Sequence, residues 1–152
     1  MRRSMMAMLV VLACGEAPCD VPNTADLQPG EQTGPAMRPG SNCLRCHTTG
    51  GRAASAPFSI GGTVYESHDA EVCGGVGGVT VRVTDANGKR VSVVTNDVGN
   101  FWSTEPLVAP YSLEVERAGR VAAMPVTTPT GGCALCHSWP DPVSAIGRIR
   151  AP

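Results

Sequence analysis

The sequence predicts an all-β fold, a small antiparallel β-sandwich carrying irregular segments at both ends. Three observations lead there. Apolar residues between positions 58 and 126 recur with period two, the spacing of a half-buried strand. Turn residues interrupt that pattern about every ten residues, the rhythm of a small sandwich. The 152 residues include 18 glycines and 13 prolines with only 16% charged residues, which disfavours long helices. The formal net charge of −1 excludes the basic surface that nucleic-acid binding requires.

The elements follow in order. Residues 1–13 read as a signal peptide. Arg2 and Arg3 precede an apolar run from Met5 to Ala13 that is too short to span a bilayer. Residues 14–40 are rich in Gly and Pro without apolar period and read as an extended tether. Residues 41–57 form a first irregular segment. In the sandwich, residues 58–127, Ile60 to Tyr65 is the first strand. Val79, Val81 and Val83 share one face of the next, and Asp85-Ala86-Asn87-Gly88 turns the chain into a return strand from Lys89 to Thr95. Asn96 to Asn100 is a second turn and Phe101-Trp102-Ser103 opens a strand. Tyr111 to Glu116 alternates, and Ala118-Gly119 leads into Arg120 to Val126. Residues 128–152 form a second irregular segment with a short tail.

Gly62-Thr63-Val64, the run from Gly78 to Lys89, Thr95 to Phe101 and Pro110-Tyr111-Ser112-Leu113 resemble the carboxypeptidase regulatory-like (prealbumin-like) domain family. The resemblance covers about 65 residues, rests mostly on turn chemistry and implies a non-catalytic β-sandwich. The insert from His68 to Gly77, which holds a Cys, departs from it.

The irregular segments carry the chemistry. Cys43-Leu44-Arg45-Cys46-His47 and Cys133-Ala134-Leu135-Cys136-His137 both match Cys-x-x-Cys-His, the attachment pattern of c-type haem. Seven cysteines and three histidines in this length predict about 0.006 such pentapeptides by chance. On one helical turn, residues three apart share a face, so two thiols can bond the two vinyl groups of one porphyrin. The following imidazole then reaches the iron. Cys43, Cys46, Cys133 and Cys136 are therefore expected to hold two covalent haem c groups, with His47 and His137 as iron ligands. His68 is the candidate distal ligand and Met124 a second candidate. Met37 is a third candidate for a His/Met centre, but it sits in the tether and is expected to be exposed. Two other readings remain open: one structural zinc on the four thiols, or disulfides among them. Trp102 and Trp139 read as packing residues.

Val11-Leu12-Ala13-Cys14 resembles the lipobox of bacterial lipoproteins, which implies cleavage before Cys14 and its lipidation. The alternative is an ordinary signal peptide with an incidental Cys. Either way export is expected; Gly15 in place of Asp favours the outer membrane over retention, with periplasm or cell surface as the setting. Cys19 and Cys73 remain as a disulfide pair, as expected outside the cytoplasm.

As a whole the chain resembles an exported c-type cytochrome-like lipoprotein. The expected function is electron transfer by a membrane-anchored dihaem cytochrome, not an enzyme. Its expected partners are other redox proteins or an extracellular electron donor or acceptor. The alternative is a non-redox β-sandwich binding or adhesion module with zinc or disulfides at the Cys-x-x-Cys pairs. A haem peroxidase would depend on His68 as its distal acid or base.

Overall fold

A computed structural model describes residues 33–152. Seven strands make two sheets: β1 (Ile60–Tyr65), β2 (Thr80–Thr84), β3 (Arg90–Val94), β4 (Asn100–Ser103), β5 (Ser112–Arg117), β6 (Arg120–Ala123) and β7 (Ile149–Arg150). The orders are β4-β1-β7 and β3-β2-β5-β6. The fold is a small all-β one, and its first six strands lie where the period-two pattern places them.

Alternation builds the core. Val79, Val81 and Val83 are fully buried, and Leu113 and Val115 face them from β5. Ile60, Val64 and Phe101 close the core from the other sheet. Each such side chain contributes about 1.5–3 kcal/mol by leaving water. The β2–β3 hairpin turns at Gly88, whose φ of +80° matches the Asn-Gly signal. Edge strands β3 and β6 are largely exposed. On the outer surface Arg82 of β2 pairs with Glu116 of β5.

Two differences from the expected architecture bear on the site. First, β7 runs parallel to β1, pairing Val64 with Ile149 and Tyr65 with Arg150, so the three-stranded sheet is mixed. The chain returns after the second pentapeptide in the direction of β1, and residues 149–150 belong to the sandwich instead of a tail. A two-residue strand carries no period to detect.

Second, the end of the expected tether is docked. Every residue of β1 is buried, on both faces. One face meets the core. The other, with Gly61, Thr63 and Tyr65, is covered by residues 34–42. Gly40 N–H donates to Thr63 Oγ1 (2.8 Å), whose hydroxyl donates to Asn100 Oδ1 (2.7 Å). Asn100 Nδ2 donates to the carbonyls of Met37 (2.9 Å) and Pro35 (3.2 Å). The polar side chains Thr63 and Asn100, both buried, thus supply partners to a segment with no secondary structure of its own. The rest of the expected tether and the signal peptide lie outside the described residues.

Candidate functional site

The two pentapeptides take one conformation. Each is a single 3₁₀ turn, Cys43–Arg45 and Cys133–Leu135. Cys46 and His47 both donate their N–H to Cys43 O, at 3.2 and 3.0 Å; Cys136 and His137 do the same to Cys133 O, at 3.2 and 2.9 Å. The closing residues match, with φ/ψ of −110°/−40° at Cys46 and −113°/−38° at Cys136. Even the leading thiols agree: Cys43 Sγ lies 3.8 Å from Ser41 O and Cys133 Sγ 3.9 Å from Gly131 O. In a 3₁₀ turn residues three apart eclipse one another, which sets both thiols of a pair on one side. Asn42 caps the first turn through Oδ1, which accepts from Leu44 N–H; Gly132 opens the second without a side-chain cap.

The histidines agree too. His47 Nδ1 lies 2.8 Å from Ala56 O and His137 Nδ1 2.9 Å from Gly147 O. A carbonyl only accepts, so Nδ1 carries the proton and Nε2 of the neutral ring keeps a lone pair. That is how metal-bound imidazoles are oriented, the far nitrogen donating to a backbone carbonyl. His47 also stacks on Phe58, with centroids 3.9 Å apart and planes 4° apart, and Phe58 stacks on Trp102. His68 follows the same rule, its Nδ1 2.8 Å from Arg148 O.

A cavity adjoins each turn. The first, of about 380 Å³, is lined by Cys43, Cys46, His47, Phe58, Trp102 and Met37 among others. The second, of about 510 Å³, reaches between the sheets and is lined by Cys133, Cys136, His137, Val81, Phe101 and Leu113 among others. Both volumes suit a sizeable ligand. His68 and Met124 line the second cavity. His68 is half-buried, held by the loop that carries it and by Arg148. Met124 packs on the core while touching the cavity. Met37 is half-buried in the first cavity, not exposed, because Asn100 holds its carbonyl against the sheet.

Apolar residues stand around the second turn with little to cover them. Val143 and Ile146 are 77% and 75% exposed, and Leu135 and Trp139 are exposed as well. Arg148 is buried, donates from Nε to Ala70 O (2.6 Å), lies over the Tyr65 ring and lines the second cavity. No ion pair joins it to a carboxylate among the described residues.

Burial pushes the Cys43 thiol up to about 11 and the Cys133 thiol up to about 12, so both are protonated at neutral pH. Cys133 is raised further by the charge of Cys43. None of Cys43, Cys46, Cys133 and Cys136 is in a disulfide. Among the described residues no three His, Cys, Asp or Glu side chains gather as they would around one metal ion. Cys73 is disulfide-bonded; its expected partner Cys19, and Cys14, lie outside the described residues.

Several residues that build the site escape the sequence reading. The Ala56 and Gly147 carbonyls are backbone atoms with no residue signature. Phe58 left a faint signal, an aromatic eleven residues after the first His. Among the described residues no helix is long and apolar enough to cross a membrane. Compared with known proteins, the chain matches no family model, no curated protein and no solved structure.

Proposed function

We propose that the chain is an exported, lipid-anchored dihaem c-type electron carrier. The observation that carries this reading is the duplicated clasp. Two Cys-x-x-Cys-His segments, 90 residues apart, share one backbone conformation, and each histidine holds its Nδ1 on a backbone carbonyl. Such a clasp suits covalent attachment through both thiols and iron ligation through Nε2. The apolar cavities and uncovered residues beside the second clasp fit a flat apolar group.

The cofactor supplies one-electron chemistry at its iron. The chain's own residues hold, orient and shield it. His47 and His137 would ligate the iron of each group through Nε2. Met37, which lines the first cavity, would be the second ligand available there, and His68 or Met124 the one available in the second. Methionine raises the potential of such a centre, so the first is expected to be the higher of the two if His68 serves the second. Cys14 would anchor the carrier to a membrane, and its partners are redox proteins or an external donor or acceptor.

Expression with a haem-maturation system tests the proposal. The denatured polypeptide is expected to be red and to carry two porphyrin additions by mass. Cys43→Ala with Cys46→Ala is expected to remove one addition, and Cys133→Ala with Cys136→Ala the other. A colourless chain without added mass overturns the proposal.

A further inference from the structure

The two clasps lie on opposite faces of one sheet. Successive side chains of a strand point to opposite faces, and β4 shows which face each cavity occupies. Asn100 and Trp102 line the first cavity, whereas Phe101 between them lines the second. Their neighbours in β1 follow suit: Gly61 is paired with Trp102 and Gly62 with Phe101.

Those two glycines are where the clasps meet the sheet. A Cβ on Gly61 would lie 3.0 Å from Cys43 Cβ and 3.3 Å from its Sγ. A Cβ on Gly62 would lie 2.8 Å from Cys133 Cβ. Each leading cysteine therefore occupies the room that a side chain of β1 would fill, one from each side. Hydrogen bonds complete the junction. Gly61 N–H donates to Gly131 O at 2.9 Å, and the same carbonyl receives the Cys133 thiol at 3.9 Å. Asn42 and Gly132, which open the two turns, also abut: a Cβ on Gly132 would fall 2.5 Å from Asn42 Oδ1.

We propose that β1 is a one-strand-thick partition between two electronically coupled haems, crossed by electrons at Gly61-Gly62. The inference rests on the reading of both clasps as haem sites and adds their mutual placement. The transfer is balanced by itself. With a haem held on each face, one electron would pass from the reduced group to the oxidised one, and no bond would break. A one-electron redox protein supplies it at one face, and a second accepts it at the other. Cys43 packed on Gly61, Cys133 packed on Gly62, and the Gly61 N–H to Gly131 O hydrogen bond would make the short route. A carrier so built takes up and delivers electrons on different surfaces, which a single-haem carrier does not require.

Circular dichroism in the Soret region of the matured full chain tests this. Two porphyrins this close are expected to give a couplet, two lobes of opposite sign crossing near the absorption maximum. Each single-site variant, Cys43→Ala/Cys46→Ala or Cys133→Ala/Cys136→Ala, is expected to lose it, and their summed spectra should not reproduce the parent. If a variant fails to fold, the parent decides alone: the couplet is expected to change form at half-reduction, when only one iron has altered. A chain carrying two haems by mass with a single-signed, additive spectrum overturns the coupling and leaves the proposed function standing. A chain carrying no haem overturns both.

Discussion

His47, His68 and His137 each commit Nδ1 to a backbone carbonyl, which is a strong constraint on a ring that otherwise rotates freely. Two of them follow a Cys-x-x-Cys pair, so the third draws interest as a distal ligand. In the matured chain His68→Ala is expected to change the visible spectrum of one haem and leave the other untouched; an unchanged spectrum would return His68 to a packing role and leave Met124 as the candidate. Met37→His is expected to lower the potential of the first centre alone, measured by redox titration, because an imidazole replaces a thioether. Asp85 is a separate residue-scale device. Its carboxylate accepts from Val108, Asn87 and Lys89 N–H, pinning the hairpin turn to a neighbouring loop. Those bonds, Val108's foremost, hold its pKa below the usual carboxylate range. Because the folded value is the lower one, the stabilisation is complete above the unfolded pKa and disappears as pH falls through the folded one. Asp85→Asn is expected to lower the melting temperature at neutral pH, with the gap to the parent closing in acid.

At the scale of elements, β1 is unlike the other strands. It is buried on both faces although its second and third residues, Gly61 and Gly62, have no side chains to bury. Adjacent glycines weaken a strand, and their place is explained by the cysteines pressed against them. Gly62→Ala is expected to overpack against Cys133 and the Phe101 ring and to cost about 1–3 kcal/mol in chemical denaturation. An alanine in the exposed β6, such as Ala122→Ser, is the control and is expected to change stability little. The strands themselves were largely legible, because alternation of valines with Thr, Arg and Glu in β2 and β5 is a direct imprint of one buried face. β7 was not, since two residues next to the chain end carry no pattern.

For the molecule as a whole, Arg148 ties distant segments together. Its Nε bonds Ala70 O, its guanidinium lies over Tyr65 of β1, its N–H bonds His68 O and its carbonyl holds the His68 ring. It also lines the second cavity. Arg148→Met keeps the length and loses the donors, leaving Ala70 O unpaired. The expected cost is about 1–3 kcal/mol, read as a fall in the denaturation midpoint. In the matured chain a spectral change confined to the second haem is also expected. Through His68 and Ala70, the insert from His68 to Gly77 thereby holds the segment that returns from the second clasp to β1, and His68 lines the second cavity.

The pentapeptides, their local turns and six of the strands are written in short-range patterns, where residue identity and spacing alone set the chemistry. Spacing put the thiols on one side of a turn, and period two put the valines inward. What the chain could not disclose by itself was how the two clasps stand to each other, or which carbonyls steer their histidines. Those depend on residues 90 apart meeting at a pair of glycines, and on a parallel return strand too short to leave a pattern. Backbone carbonyls are the same in every residue, so only folding decides which of them faces an imidazole.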